Sequence, residues 1–419
     1  MGFHTFLEQH KKKKKIAIIG GGAAGFFAAI SAKEANDSVE VTIFEKARKV
    51  LAKVAITGGG RCNLTNTFDN ISDLKQVYPR GFRLMKRLFN FFDQRDTWRW
   101  FESHGVRLVS QDDHCVFPES QDAMTVVDCL VNEARKFNVN IKTEQKIVSL
   151  TPSTDGGWLI NMVNGIHERF DCVVIATGGM PHRADLLGLC HLGLHMEQPI
   201  PSLFTFKIDD QRLLSLMGTV VNTVQTTILT TKFRASGPLL ITHWGISGPA
   251  VLKLSSRAAR HLYEMDYHSK VAINWVNITD RNMVEVELSK VVKVNPRKQL
   301  GTVRPFGLPS RLWLYMLHKN NLPDGRLWCE LGNKGLNKLL ETLTNDVYDI
   351  CGRGTYRDEF VTCGGIALDS VDFNTLQSKV CHGLYFAGEV LDVDGVTGGF
   401  NLQAAWTTGF IVGNSIVSD

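Results

Sequence analysis

The chain has 419 residues, 44% hydrophobic and 21% charged. That composition excludes disorder, and the length exceeds the roughly 250–300 residues at which one core usually stops growing, so more than one domain is expected. The net charge of +5 equals the five lysines of Lys11–Lys15, and a remainder close to neutral argues against a broad basic face for nucleic acid.

Nine cysteines occur without a C-x-x-C pair, which leaves neither a zinc pattern nor a closed disulfide framework; free thiols and no metal are expected. The lysine run followed by the apolar Ile16–Ile30 mimics a secretory leader. Four glycines (Gly20, Gly21, Gly22, Gly25) interrupt that stretch, and no convincing cleavage site follows. It also falls short of the roughly 20 apolar residues that span a bilayer. A cytoplasmic protein without membrane association is expected.

Ile16–Ile19 has the apolar run of a buried strand, Gly20–Gly25 a turn, and Phe26–Ala35 an Ala-rich helix. Val39–Lys46 (VEVTIFEK) then alternates as a second strand, completing a βαβ unit. Helices are predicted over 82–104 and 121–137, and strands over Ile141–Leu150, Trp158–Val163 and Cys172–Ala176. Short β-like runs fill about 200–275, helical signals fill 280–350, and Leu384–Ala387 returns to a buried strand before a closing helix at Leu402–Ser415. The expected domains are 14–195 and 351–419 as one α/β body, a β-rich insertion at 196–278, and a small helical domain at 279–350.

The spacing Gly20-x-Gly22-x-x-Gly25 between strand and helix suits a dinucleotide. The first glycine permits the turn, the second admits a pyrophosphate to the amides of Ala23 and Ala24, and the third lets helix and strand approach. Glu45 closes the second strand 20 residues after Gly25, where an acidic residue would take ribose hydroxyls. This fingerprint alone does not separate NAD from FAD. The far end of the chain does: Gly383–Glu389 (GLYFAGE) brings Gly388 and Glu389 to the end of a strand, as flavoproteins do for the ribityl chain. Gly395–Ala405 opens a second glycine-rich helix start, whose dipole suits the charge developing on a reduced flavin. FAD is the expected cofactor. With one fingerprint, already filled, NAD(P)H is a candidate reductant that binds elsewhere.

A third cluster, Thr57–Asn66 (TGGGRCNLTN), sets Gly60, Arg61, Cys62, Asn63 and Leu64 beside successive glycines, as for a flat or phosphorylated ligand. Cys62 is a flavin-adjacent thiol without a partner for disulfide chemistry. His243, with Trp244, is a candidate proton donor to substrate, and a packed structural histidine is the alternative. Asp392 and Asp394 are polar lining or turn residues; the sequence does not choose between these.

Together with VFPES, ATGG (Ala176–Gly179), THWGISGPAVL (Thr242–Leu252), VTCGGI (Val361–Ile366) and the long Gly383–Gly409 stretch, these clusters resemble the BaiN-like (YhiN-type) flavoproteins, a family of NAD(FAD)-utilising dehydrogenases and aminoacetone oxidase-like enzymes. The resemblance runs over residues 14–415. It implies a glutathione-reductase-like FAD domain interrupted by a β-barrel-like domain and a small helical one. It also implies FAD contacts from Gly20–Gly25, Glu45, Lys46, Gly60–Leu64, Val148, Ala176, Thr177, Gly178, Gly388, Glu389, Gly399, Phe400, Asn401 and Leu402. Met180–Leu187 departs from the family pattern by its shortness. The expected function is hydride transfer through flavin N5 to a small organic acceptor or oxygen. A non-catalytic flavin sensor and an RNA-modifying flavoenzyme that uses the Lys11–Lys15 tail are the alternatives.

Overall fold

A computed structural model of the protein describes residues 13–179, 186–354 and 361–418. Lys11 and Lys12, and residues 180–185 of the short segment after ATGG, lie outside the described residues. The chain divides into two compact units, residues 1–199 with 362–419, and residues 200–361.

In the first unit, five parallel strands form a sheet in the order Leu384–Phe386, Cys172–Ile175, Lys15–Ile19, Glu40–Phe44, Asn140–Lys142. Their runs IAII, CVVI and LYF are buried throughout, because helices cover both faces of such a sheet. Helices Ala23–Ala35 and Phe400–Ser418 pack nearly backbone to backbone. A Cβ added at Gly409 would lie 2.8 Å from the Ala24 carbonyl oxygen, and one at Gly413 2.6 Å from that of Ala28. The two ends of the chain therefore build one domain.

The helix predicted over 82–104 is two, Phe82–Leu88 and Gln94–Ser103. Asp93 breaks it: its side chain accepts from the amides of Arg95 and Asp96, while Asp96 accepts from Asp93 N, a capping box that starts a new helix. The strand predicted over Ile141–Leu150 also divides. Asn140–Lys142 joins the parallel sheet, and Ile147–Pro152 pairs with Trp158–Met162, which in turn pairs with His167–Phe170, in a separate antiparallel sheet.

The second unit holds a closed barrel of six strands in the order Phe206–Ile208, Gly245–Ser247, Arg234–Ile241, Val220–Ile228, His268–Asn274, Asp346–Arg353. Helices Arg281–Val294, Ser310–Lys319 and Gly332–Thr344 share one apolar core with it, through residues such as Leu288, Trp313 and Leu340 beside Ile273 and Ile350. The segment expected as a separate helical domain is thus part of the barrel unit, since the last barrel strand follows it. Asp346, buried in this core, accepts from Trp275 Nε1 (3.0 Å), Tyr348 Oη (2.6 Å) and Lys319 Nζ (2.5 Å). Among the described residues no helix is long and apolar enough to cross a membrane, and no group of three or more His, Cys, Asp or Glu is arranged to hold a metal ion.

Candidate functional site

The glycine turn between the first strand and helix is tight where packing demands it and open where a ligand would approach. Gly20 has φ +118°, and a Cβ there would meet the Ala176 carbonyl oxygen at 2.2 Å. A Cβ on Gly25 would meet the Gly20 carbonyl oxygen at 2.0 Å, so only glycine lets helix and strand touch here. Around Gly22, by contrast, an added Cβ meets nothing within 4 Å. Gly22 caps the helix without a side-chain bond, and the first turn holds no acidic residue. The amides of the first turn have no intrahelical acceptor, which makes an anion site.

Glu45 is half-buried at the end of the second strand, and its carboxylate accepts from Gly21 N at 2.9 Å and Ala47 N at 2.8 Å. It holds the turn in shape. Lys46 beside it is exposed.

In the TGGG loop, Gly58, Gly59 and Gly60 take φ of +59°, +69° and +83°, reversing the chain at the end of helix Ala52–Gly60. Gly59 and Gly60 border open space. Arg61 stacks over the Phe117 ring at 4.4 Å and points to Gln121. Cys62 is fully buried, and burial pushes its thiol up to about 12. It is neutral at physiological pH and no nucleophile. Leu64 is a core residue whose carbonyl accepts from Trp406 Nε1 at 2.9 Å.

Asn63 Oδ1 and Thr177 Oγ1 are both buried without a hydrogen-bond partner among the described residues. Unpaired buried polar atoms are rare, and a ligand that completes them is a standard reason for their presence.

The carboxyl-terminal segment returns to the same place. Gly388 has φ +77°, its amide donates to Thr408 Oγ1 at 2.8 Å, and a Cβ there would press on Ala24 Cβ at 2.8 Å. Glu389 accepts from Thr362 N at 2.7 Å and lies 3.4 Å from Lys53 Nζ. Gly178 and Gly179 back onto the same carboxylate, since a Cβ on Gly179 would sit 2.5 Å from Glu389 Oε1. Gly399 abuts the Thr65 carbonyl oxygen, and Asn401 exchanges two hydrogen bonds with the Gly395 backbone (2.8 and 2.9 Å). Buried Phe400 and half-buried Leu402 open the last helix. The three glycine clusters thus meet in one unit, at the carboxyl edge of its parallel sheet, where ligands of open α/β sheets bind. A polar cleft of about 270 Å³ at the opposite edge is lined by the ion pairs Lys15–Glu40 and Lys142–Glu168.

Lys53 and Thr362 escaped the sequence reading; a lysine four residues before TGGG was the available signal. Val148 is half-exposed at a register shift of its strand, the extra residue between paired Ile147 and Ser149. Asp394 is fully buried in a bidentate pair with Arg80, and Asp392 accepts from Gly364 N at 2.9 Å. Asp394 is thus tied to a side chain and Asp392 to the backbone. His243 belongs to the second unit, exposed, with its ring edge-on to Trp244 at 4.1 Å.

Residues 14–415 match the HI0933-like protein Rossmann domain. The chain belongs to this family. It is therefore an FAD-dependent oxidoreductase, as the BaiN-like resemblance implied. The HI0933-like chain is 28% identical over 93% of its length to a 3-dehydro-bile acid delta(4,6)-reductase of Clostridium scindens, covering 95% of that protein. It is 29% identical over 90% of its length to a ribosomal RNA dihydrouridine synthase of Escherichia coli, covering 92% of it. The 3-ketosteroid-delta4-(5alpha)-dehydrogenase of Rhodococcus jostii RHA1 shares the fold at a TM-score of 0.51 and 16% identity, over 98% of this chain and 99% of the other.

The residues fit FAD. Open space at Gly22, Gly59 and Gly60, the uncapped helix start, and the orphaned oxygens of Asn63 and Thr177 form a cradle with unmet hydrogen-bonding capacity.

Proposed function

We propose that this enzyme reduces a carbon–carbon double bond conjugated to a carbonyl group, with NAD(P)H as the source of electrons. The names of two relatives support this reading. A delta(4,6)-reductase of a 3-dehydro bile acid saturates carbons conjugated to the 3-oxo group, and a dihydrouridine synthase saturates the uracil bond next to its 4-carbonyl. In such a reduction by this enzyme, hydride would add to the carbon remote from the carbonyl, negative charge would move toward its oxygen, and a proton would complete the product.

FAD, when bound, supplies the hydride at its N5. The chain's residues position and tune. The first-turn amides of Ala23 and Ala24 would take the pyrophosphate, Glu45 the adenosine ribose, Val148 backbone the adenine, and Glu389 the ribityl hydroxyls. Asn63 and Thr177 would meet polar edges of the cofactor, and the Phe400 helix start would stabilise negative charge. The neutral Cys62 thiol adds bulk and no nucleophile. His243 is the proposed proton donor to substrate.

The observation that carries this reading is the pair of orphaned oxygens on Asn63 and Thr177, within a chain whose relatives share double-bond reduction. Anaerobic NADPH or NADH should bleach the yellow protein, and a conjugated enone or a uridine-containing RNA should restore the colour while gaining two mass units. Reoxidation by oxygen alone, with no gain of mass in either substrate, would sink it.

A further inference from the structure

The turn that opens the last helix is short of side chains to hold its shape. It contains Gly395, Gly398 and Gly399, and the last two take φ of +127° and +87°. Apart from the bonds between Gly395 and Asn401, its pins come from elsewhere in the same unit. Asn66 Nδ2 donates to the Gly398 carbonyl at 3.1 Å. The short segment Val77–Gly81 does more. Val396 N donates to the Val77 carbonyl at 2.8 Å, and the buried Tyr78 hydroxyl donates to the Phe400 carbonyl at 2.8 Å. Arg80 and Asp394 pair as an antiparallel backbone bridge, and their side chains pair as well. Gly81 has φ +76°, and an added Cβ there would sit 2.5 Å from Val393 Cγ2. One segment thus grips the chain on both sides of the turn.

Of these contacts, the Arg80–Asp394 ion pair is the one that stability explains least. The Asp394 side chain is fully buried, and that of Arg80 is 14% exposed. Taking two charges out of water costs about what their attraction returns, so apolar side chains of similar volume would hold the fold as well. What they would lack is geometry. A guanidinium fork on both carboxylate oxygens fixes direction and distance together. Asp394 immediately precedes Gly395, so that precision passes into the turn.

We propose that Arg80 is a positioning residue for the flavin: through Asp394 it fixes the turn Gly395–Gly399, and with it aims the first-turn amides of helix Phe400–Ser418 at the negative charge of the reduced cofactor. This rests on the reading above, in which that helix start faces the flavin. Donors aimed in advance at developing charge need no reorganisation when it appears, and a loss of aim by about 0.5 Å is enough to blunt them. A loosened turn should therefore cost affinity for reduced FAD more than for oxidised FAD.

The test uses the full-length protein with FAD and a reference dye, reduced anaerobically by xanthine oxidase without NAD(P)H or any double-bond substrate. Failure of the proposed reaction leaves this measurement untouched. Replacing one partner would strand a buried charge, so both are replaced in R80M/D394L. Melting of the apoprotein and affinity for oxidised FAD should stay close to wild type. Reduced FAD should bind at least about tenfold more weakly relative to oxidised FAD, a fall of about 30 mV in the two-electron potential. R80K keeps the charge and gives up the fork; it should move the ratio about threefold in the same direction, and it decides the matter if the double variant does not fold. An unchanged potential in a folded variant, or an equal loss of affinity for both redox states, would overturn the proposal. L402D separates it from the underlying reading by placing a negative charge in the first turn, which has no acidic residue. A fall of potential in L402D alone would keep the helix start at the flavin and refute the role of Arg80. No fall in any variant would refute both.

Discussion

Lys53 and Glu389, 336 residues apart in sequence, meet at 3.4 Å. Lys53 Nζ is largely in solvent, so the ion pair adds little to stability, at most about 1 kcal/mol. Its effect is to orient a carboxylate whose other oxygen is fixed by Thr362 N.

Glu389→Ala should therefore weaken FAD binding about 10- to 100-fold, the value of a charge-assisted hydrogen bond, while Lys53→Met costs several-fold or less. Titrating apoprotein with FAD and following the quenching of flavin fluorescence measures both. Equal affinity in Glu389→Ala and wild type would remove Glu389 from the cofactor site.

The glycines of the fingerprint should separate by role. Gly22→Val places its side chain in open space. The protein should fold, with circular dichroism and melting of the apoprotein close to wild type, yet purify colourless. Gly25→Ala drives a methyl into the Gly20 carbonyl and should lose stability by about 1–3 kcal/mol or more. A yellow Gly22→Val protein would mean that the pyrophosphate lies elsewhere.

His104 links three helices, with Nε2 3.5 Å from Glu34 and 3.8 Å from Glu133, and its ring stacked on Trp100. The bond to Glu34 raises its pKa above the ordinary 6.5, against the opposing effect of burial. A raised folded-state pKa gives stabilisation that is complete below about pH 6.5 and is lost as pH rises through the folded value. Wild type should thus lose melting temperature relative to His104→Gln as pH rises above about 6.5 and through the folded-state value. Parallel pH profiles for the two proteins would show that the contact is not protonated.

In the barrel unit, Asp346→Ala would leave Lys319 and two buried donors, Trp275 Nε1 and Tyr348 Oη, without their acceptor. A loss of about 3–5 kcal/mol is expected, as for a broken buried pair. Hydrogen exchange should locate it in strands His268–Asn274 and Asp346–Arg353. Full protection of those strands would argue that water replaces the carboxylate.

The βαβ start was legible because inner parallel strands are continuous apolar runs and because each fingerprint glycine answers a separate steric demand. The barrel was visible only as β-like runs, since its closure depends on strand Asp346–Arg353, which returns after three helices. Asp93 passed unnoticed because its box uses Asp96 where Glu or Gln is the usual cue. Arg80 and Asp394, or Lys53 and Glu389, are pairs made by topology alone, and no local pattern announces them.

The embrace of Ala24 and Ala28 by Gly409 and Gly413 has a consequence during synthesis. Residues 23–35 are translated well before residues 400–418, so helix Ala23–Ala35 stays uncovered, and its sheet lacks strand Leu384–Phe386, until the long stretch between them has been made. A chain cut short near residue 400 would keep the glycines of the first turn and lose the helix that packs against them.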